Sequence, residues 1–325
     1  MSAGWEGRRV LVTGATGMVG SWLVKALLAR RAHVVAFVLD DDPQTEFYRS
    51  GDVRRCAVVN GNLEDVRAVE RAVVTQETDT VFHLGAQPIV GAAYRAPLAT
   101  LETNVRGTWN VLETCRLQAG LVKRLVIASS DKAYGAQETL PYTEDAPLVG
   151  THPYDVSKSA ADLIARAYHV TYGLPLAVAR CGNIYGGGDL NWNRIVPGTI
   201  RSLLRGERPV VRSDGTYVRD YFYAKDAAGA YLALCDGLDD PRVRGGAFNF
   251  STESPVTVMQ MVRAIQKVMG ATHLEPEVLG TAKGEIKDQH LAAGKARTVL
   301  GWRAEYDLDR GLGETVAWYR QHLTA

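Results

Sequence analysis

The sequence has no long apolar run, no excess of charge of either sign and no paired cysteines. No uninterrupted apolar stretch approaches the ~18 residues that a membrane-spanning helix needs, so no membrane association is expected. Lysine plus arginine (37) balance aspartate plus glutamate (36), and the net charge of +1 offers no basic surface for nucleic acid. The segment Met1–Val10, before the first predicted strand, is too short for a signal peptide, which favours the cytoplasm.

Spacing patterns of metal sites and redox pairs are also missing. The four cysteines, at positions 56, 115, 181 and 235, form no C-x-x-C pair, so we interpret them as buried, reduced thiols. The seven histidines show no H-E-x-x-H or other metal-binding pattern, and no metal is expected. No Pro/Ser-rich linker or internal repeat interrupts the chain.

Apolar segments alternate with amphipathic ones over the first 180 residues. The predicted strands are Arg9–Thr13, His33–Leu39, Cys56–Asn60, Thr80–Leu84, Arg124–Ser129 and Leu176–Ala179. The predicted helices are Met18–Arg30, Glu64–Gln76, Leu98–Ala119 and Tyr154–Tyr172. This order predicts the α/β class, with a Rossmann-type doubly wound parallel sheet over residues 1–180 to which some later segments return.

The alternation weakens over residues 181–325. The predicted elements there are the helices Ile195–Gly206, Val256–Met269 and Asp309–His322 and the short strand Pro209–Arg212. Because no linker precedes them, we expect a smaller C-terminal α/β domain that packs directly on the first.

A glycine-rich turn follows the first predicted strand, with the spacing G-x-x-G-x-x-G. One glycine makes the tight turn, one lets the backbone approach a pyrophosphate, and one lets helix and strand pack closely. The N–H groups at the start of the helix then face the diphosphate. The pattern predicts a dinucleotide site formed by Gly14, Thr16, Gly17, Met18, Val19 and Gly20.

Three acids, Asp40-Asp41-Asp42, end the second predicted strand. A carboxylate there holds a ribose 2′-OH, whereas an arginine would accept a 2′-phosphate, so Asp40 and its neighbours favour NAD over NADP. The alternative is that the acids form a solvated turn before Pro43. Asn62, which ends the third strand, is placed to reach the adenine.

Tyr154 and Lys158 lie four residues apart and so share one face of a predicted helix. A phenol with a pKa near 10 is a poor base at neutral pH. A nearby ammonium and an oxidised nicotinamide both favour the phenolate, so we expect the pKa of Tyr154 to be lowered. Ser130 follows the fifth strand. The Y-x-x-x-K spacing alone is common by chance, but Tyr154, Lys158 and Ser130 together with the glycine turn form a highly specific pattern.

These motifs resemble the extended short-chain dehydrogenase/reductase family, in its nucleotide-sugar-modifying branch. Nearly the whole chain takes part, and further similar segments are Phe82–Gln87, Thr103–Thr108, Arg180–Gly186 and Arg219–Tyr221. The resemblance implies that Tyr154 takes a sugar hydroxyl proton, that Ser130 assists by hydrogen bonding and that Lys158 orients the tyrosine and the cofactor. NAD would stay bound and take a hydride from C4.

The same resemblance implies further contacts. Cofactor contacts would come from Asn62, Leu63, Leu84, Ala86, Gln87, Asn104, Ser129, Tyr154 and Lys158. A nucleotide-diphosphate sugar would contact Gln87, Ser130, Asp131, Asn183, Arg194 and Arg219. For Arg194 a plain surface arginine is the alternative. A homodimer would pair the helices Leu98–Ala119 and Tyr154–Tyr172, with Val105, Trp109 and Leu112 in the interface.

Within that branch the chain is most similar to CDP-glucose 4,6-dehydratases. The similar segments are Gly4–Val10, Ser21–Leu23, Gln87–Val90, Ser130–Lys132 and Gly186–Asp189. Gly215–Phe222 departs from that type and is more like GDP-mannose dehydratases, epimerases and decarboxylases, so the nucleotide base stays open.

Asp131 and Lys132 bear on the reaction. Eliminating water from C5–C6 of a 4-keto sugar needs a base at C5 and an acid at the 6-OH. A protonated Asp131 would supply that proton, and Lys132 would either take the C5 proton when neutral or stabilise the enolate as a cation. An epimerase needs neither group. The alternative for the two residues is a local ion pair at the rim of the site.

The sequence therefore predicts an NAD-dependent nucleotide-sugar 4,6-dehydratase. A nucleotide-sugar 4-epimerase or a UDP-glucuronate decarboxylase on the same scaffold is the alternative. A redox-inactive, NAD-binding regulatory protein is a third class, which the intact Ser130, Tyr154 and Lys158 disfavour.

Overall fold

The computed structural model describes residues 4–281 and 286–323, so the first three residues of the N-terminal segment lie outside it. The strands are β1 (Arg9–Thr13), β2 (His33–Val38), β3 (Ala57–Asn60), β4 (Thr80–His83), β5 (Arg124–Ser130), β6 (Leu176–Cys181), β7 (Asn183–Tyr185), β8 (Val210–Val211), β9 (Val218–Arg219), β10 (Tyr221–Tyr223), β11 (Ala247–Phe250), β12 (Val256–Thr257), β13 (Glu277–Val278) and β14 (Asp288–Gln289).

The helices are α1 (Met18–Ala29), α2 (Glu46–Arg49), α3 (Val66–Val74), α4 (Val90–Arg95), α5 (Pro97–Leu101), α6 (Gly107–Leu117), α7 (Pro153–Tyr172), α8 (Ile195–Leu204), α9 (Ala224–Asp236), α10 (Val258–Met269) and α11 (Leu308–Leu323). A π-helical turn, Glu102–Arg106, joins α5 to α6. The single helix predicted over Leu98–Ala119 is thus two helices and this wide turn.

Seven parallel strands form the central sheet in the order β11-β6-β5-β4-β1-β2-β3. Alternate residues of β1 face opposite sides, since Val10 and Val12 belong to one apolar cluster and Leu11 to the other. Helices α1 and α9 cover the first side, and α3, α6 and α7 cover the second. The predicted doubly wound sheet is confirmed.

Two elements of this sheet layer come from residues 181–325, the part predicted to form mainly the second domain. β11 pairs with β6, and α9 packs against α1. The sequence analysis did not find α9, because Ala-Lys-Asp-Ala-Ala-Gly-Ala-Tyr-Leu-Ala-Leu-Cys-Asp is rich in small residues and has no clear polar face. It also missed β11, a strand of four residues in which Asn249 interrupts the apolar run.

The remaining C-terminal elements pack beside the carboxyl edge of the sheet. Helices α8, α10 and α11 share a separate apolar cluster that includes Ile200, Ile265 and Leu312. The predicted helix over Val256–Met269 begins two residues late, because Val256 and Thr257 pair with β9 as β12. Thr257 then caps α10 in a capping box with Gln260.

Candidate active site

A cavity of about 1270 Å³ opens where the carboxyl ends of β1, β4, β5 and β6 meet. It extends from the glycine turn to β9. The predicted site residues that line it are Gly14, Thr16, Gly17, Met18, Val19, Gly20, Asp40, Asn62, Leu63, Leu84, Ala86, Ser129, Ser130, Asp131, Lys132, Tyr154, Lys158, Asn183, Arg194 and Arg219. One connected space thus joins the predicted dinucleotide and sugar sites.

The glycine turn has the backbone that a pyrophosphate site requires. Gly14 has a φ of +70°, and a Cβ there would lie 2.8 Å from the amide nitrogen of Gly85. A Cβ at Gly20 would lie 2.0 Å from the carbonyl oxygen of Gly14, so close packing of α1 on the turn needs glycine. Gly17 caps α1 without a side-chain hydrogen bond, which leaves the first turn of the helix facing the cavity. These residues fit a dinucleotide diphosphate.

Only part of the Asp40-Asp41-Asp42 run faces the cavity. Asp41 accepts a hydrogen bond from the Tyr48 hydroxyl, and Asp42 Oδ1 accepts one from the Gln44 amide at 2.9 Å. Asp40 is exposed and lines the cavity at the end of β2. Asp42 lines the cavity as well, but its carboxylate also builds the turn before α2.

Gln87 and Asn104 lie behind the cavity wall. Asn104 Oδ1 accepts a hydrogen bond from the Gln87 amide at 2.7 Å, and its Nδ2 donates to Ser157 Oγ at 2.9 Å. The Gln87 side chain donates to Thr100 Oγ1 at 3.0 Å. Neither residue is among those that line the cavity. Their contacts hold the segment after β4 against the π-helical turn and α7.

Tyr154 and Lys158 come from the first turns of α7, which begins with Pro153. Tyr154 is 8% exposed, and its burial raises the pKa of the phenol to about 12. A hydrogen bond with Ser130 and the positive charge of Arg194 act in the opposite direction. The Lys158 ammonium instead donates to the Ala128 carbonyl oxygen at 3.1 Å. Lys158 is not among the groups that lower the pKa of Tyr154 here, and the expected combined effect of Lys158 and an oxidised nicotinamide stays a prediction.

Asp131 and Lys132 begin a 3₁₀ turn directly after β5. Ser130 caps this turn, because its Oγ accepts from the Lys132 amide at 3.2 Å and donates to Asp131 Oδ1 at 2.9 Å. Asp131 is 3% exposed, and Lys132 Nζ donates to the side-chain oxygen of Gln289. The pair thus lies inside the cavity wall, which does not fit an ion pair at the rim.

Asp155 is a cavity residue that the sequence analysis missed. Its carboxyl group is 4% exposed, and burial raises its pKa, while the positive charges of Lys132 and His152 act to lower it. It follows Tyr154 on α7, where a single acid in a helix gives no signal by spacing. A second carboxyl group therefore stands close to Lys132.

Asn183, Arg194 and Arg219 line the opposite part of the cavity. Among the described residues, Asn183 Nδ2 is a buried donor without a hydrogen-bond partner, as expected of a group that meets a ligand. Arg219 is held by the carbonyl oxygens of Val218 and Lys287 at 2.8 and 2.9 Å. Arg194 forms an ion pair with Asp189 at 3.1 Å and lines the cavity, with 37% of its side chain exposed. These residues fit a diphosphate.

A family model described as the NAD dependent epimerase/dehydratase family matches residues 10–249. The chain belongs to this family. A CDP-glucose 4,6-dehydratase of Salmonella typhimurium is 30% identical over 335 aligned positions, which cover 97% of this chain and 91% of that protein.

Within residues 4–281 and 286–323, no helix is long and apolar enough to cross a bilayer.

Solved structures of both reaction types are similar to this one. The dTDP-glucose 4,6-dehydratase of Streptomyces venezuelae, with NAD bound, has a TM-score of 0.86 and 29% identity over 96% of this chain and 97% of that one. The UDP-glucose 4-epimerase of Thermotoga maritima, with UDP-glucose, has a TM-score of 0.87 and 28% identity over 97% of this chain and 99% of that one.

Proposed function

We propose that this protein is an NAD-dependent nucleotide-sugar 4,6-dehydratase. The observation that carries the proposal is the buried Asp131 beside Lys132 and Ser130 on the cavity wall. An elimination needs an acid and a base at this place, and a 4-epimerase does not. The similarity to curated 4,6-dehydratases supports the same reading.

The two parts of the cavity would bind the two reactants. The glycine turn and the N-terminus of α1 would hold the diphosphate of NAD, and Asp40 its adenosine ribose. Asn183, Arg194 and Arg219 would bind the diphosphate of the nucleotide sugar, because the guanidinium fork matches phosphate oxygens. NAD, when bound, supplies a hydride acceptor for C4 and later the donor for C6.

The first step would use Tyr154, Ser130 and Lys158. Tyr154 Oη takes the proton of the sugar 4-OH as the C4–H bond breaks, and the C4–O bond becomes a ketone. Because burial disfavours the phenolate, the cationic Arg194 would stabilise it, together with the Ser130 hydroxyl once its single proton turns from Asp131 Oδ1 to Tyr154. Lys158 lies one helical turn after Tyr154, and its Nζ donates a hydrogen bond to the Ala128 carbonyl oxygen. From this position it would orient the nicotinamide ribose.

The second step would use Asp131 and Lys132. The C5–H bond breaks, the C5=C6 bond forms and the C6–O bond breaks. Asp131 gives its proton to the departing hydroxide, which leaves as water. Lys132 either accepts the C5 proton as an amine or stabilises the enolate oxygen as an ammonium. In the second case the C5 proton would go to another base, and the Asp155 carboxylate on the same cavity wall is the group available.

A 4-epimerase is the second candidate, and the structural similarity to the Thermotoga maritima UDP-glucose 4-epimerase favours it. Mass spectrometry on a panel of nucleotide sugars distinguishes the classes. A dehydratase releases water, an epimerase inverts C4 without a change of mass, and a UDP-glucuronate decarboxylase releases carbon dioxide. Water loss from no nucleotide hexose would contradict the proposal.

We also propose a cytoplasmic homodimer. Large apolar side chains are exposed on α5, α6 and α7, including Leu98 (71%), Trp109 (40%) and Leu163 (51%). Such a patch supports pairing of these helices with a second copy. Leu112 was expected in the interface, but it is fully buried against the sheet of its own chain.

The cofactor can be identified directly. NAD should be released when the purified protein is denatured, because a cofactor regenerated in each cycle need not dissociate. Release of NADP alone would contradict the assignment made from Asp40.

The two halves of the cavity match a division of the chain into two parts. We propose that residues 1–180, with α9 and β11, bind the cofactor. Residues 181–325 would mainly bind the nucleotide sugar.

A further inference from the structure

Gln289 contacts both residues of the Asp131–Lys132 pair. It lies on β14, and its side chain is fully buried. Its Nε2 donates a hydrogen bond to the Asp131 carbonyl oxygen at 2.9 Å, and its Oε1 accepts one from Lys132 Nζ. A single amide therefore fixes the main chain of one residue and the side chain of the other.

The strand that carries Gln289 also holds Arg219. β14 pairs in parallel with β9, and Gln289 stands opposite Arg219 in this pairing. The Arg219 guanidinium donates to the carbonyl oxygen of Lys287, two residues before Gln289, at 2.9 Å. β14 and the residue before it thus connect Arg219, which we propose binds the diphosphate, to the turn of Asp131 and Lys132, which we propose eliminates water.

A second contact ties this segment to the catalytic turn. The Tyr142 amide donates to the His290 carbonyl oxygen at 3.0 Å, and the Ala292 amide donates to the Tyr142 carbonyl oxygen at 2.9 Å. The Tyr142 hydroxyl in turn donates to the carbonyl oxygen of Gly135 at 2.9 Å, at the end of the 3₁₀ turn. The segment after β14 is therefore held against both ends of the turn.

We propose that Gln289 is a positioning residue for the elimination step. It fixes Lys132 Nζ and the Asp131 main chain relative to Arg219. In a nucleotide hexose the diphosphate and the C5–C6 bond are joined by a short covalent path, so the groups that meet them must keep a set separation. A displacement of ~1 Å can cost about 10²-fold in rate. This inference rests on the proposed dehydratase function.

The role assigned to Gln289 is confined to one step. Ser130 is the last residue of β5 and pairs with Cys181 of β6, and Lys158 bonds to Ala128 of β5, so the sheet holds both residues without Gln289. Gln289 touches neither Tyr154 nor Lys158 in any of its hydrogen bonds. Its loss should therefore slow removal of the C5 proton and of water more than oxidation at C4.

The chain offers a matched control for this experiment. Gln266 on α10 is also a fully buried glutamine with hydrogen bonds on both ends of its amide. It donates to the carbonyl oxygen of Leu274 at 2.6 Å and accepts from Arg263 at 3.1 Å. Gln266→Met should lower thermal stability as Gln289→Met does, but it removes no contact to the catalytic turn.

The test follows single turnovers of holoenzyme with CDP-glucose or dTDP-glucose, whichever the wild type dehydrates, in deuterated water. Absorbance of reduced nicotinamide reports C4 oxidation, and deuterium at C5 and loss of water report elimination. For Gln289→Met we expect C4 oxidation near the wild-type rate, with C5 exchange and water loss slower by about 10- to 100-fold. KM should change less than kcat.

Gln289→Asn provides a second variant that keeps a polar amide in the core and shortens its reach by one carbon. It should show the same selective loss of elimination. If Gln289→Met and Gln289→Asn slow both steps in proportion, the positioning role is overturned. Gln266→Met should slow neither step selectively, and it shows what a loss of stability does by itself. A wild type that releases water from no nucleotide hexose contradicts the proposed function by itself, and the role of Gln289 in elimination falls with it.

Discussion

Lys158 donates its Nζ hydrogen bond to the carbonyl oxygen of Ala128, 3.1 Å away on β5. The contact fastens α7 to the strand that ends at Ser130, directly before Asp131 and Lys132. Burial of the lysine lowers its pKa to about 8. A residue that we propose to act in the first step is thus held where its charged form is costly.

We predict that Lys158→Met stabilises the protein while it removes activity. The pKa of Lys158 is lowered from 10.5 to about 8 in the folded state, so between these values the unfolded chain binds a proton that the folded chain does not. The free energy of unfolding of the wild type should therefore rise with pH across this window. Methionine removes the buried charge, and at pH 7 the variant should gain about 1–3 kcal/mol.

The measurement is urea unfolding as a function of pH. Lys123→Met is the control, because Lys123 Nζ also donates to carbonyl oxygens, of Ala119 and Gly120, but at the surface. A Lys158→Met variant with the same pH dependence as the wild type would show that the folded state does not disfavour the Lys158 charge.

We predict that Tyr154→Phe loses roughly 10²- to 10⁴-fold in turnover, the usual effect of removing a general base. The ring still packs at the start of α7, so dinucleotide binding should persist. Tyr172→Phe, an exposed tyrosine at the other end of the same helix, is the control. Near-full turnover by Tyr154→Phe on the true substrate would exclude Tyr154 as the base.

Asp131→Asn should oxidise C4 but lose water slowly. Asparagine still accepts the hydrogen bond from Ser130, yet it has no proton of suitable acidity for the 6-OH. Reduced nicotinamide should accumulate, because hydride return to C6 requires the C5=C6 bond. Ser130→Ala should instead slow C4 oxidation and accumulate none. Wild-type turnover with no C5 deuteration and no change of mass would favour the epimerase.

Arginine at position 132 distinguishes the two roles open to Lys132. A guanidinium stays charged, so Lys132→Arg can stabilise an enolate but cannot act as a base. If Lys132 acts as a cation, Lys132→Arg should keep much more elimination activity than Lys132→Met. If the neutral amine takes the C5 proton, both variants should fail equally. The rate of C5 deuterium exchange is the measurement.

The dimer can be tested with Leu163→Glu on α7. A carboxylate on the exposed apolar patch should oppose burial against a second copy and shift the mass measured by light scattering at micromolar concentration to that of a monomer. Val74→Glu, at an exposed apolar position of α3, should leave the mass unchanged. A monomeric wild type would refute the dimer.

Strands β1 to β6 and the glycine turn could be predicted from sequence because their signals are local. An apolar run such as Arg9–Thr13 has a definite start and end. Within the turn, Gly14 is required by its positive φ and Gly20 by its contact with the Gly14 carbonyl oxygen. Gln289 could not be found in this way. Its partners Asp131 and Lys132 lie more than 150 positions earlier in the chain, and only the folded chain brings them together.

The electrostatics of the site were also beyond the sequence. The Y-x-x-x-K spacing correctly placed Tyr154 and Lys158 on one helix, but burial, which raises the pKa of Tyr154, depends on the whole fold. The cation that opposes this effect is Arg194, which comes from the loop before α8. Spacing within a helix carries no information about a side chain 40 positions away.

The late position of β11 has a consequence for synthesis of the chain on the ribosome. β6 is complete at Cys181, yet its outer edge has no partner until Phe250 has emerged, about 3–14 s later at ~5–20 residues per second. During this interval the nascent chain presents an open strand edge and, without α9, an uncovered face of α1. The growing polypeptide is then most exposed to aggregation and to chaperone capture, and a fragment that stops at residue 180 would keep that exposure permanently.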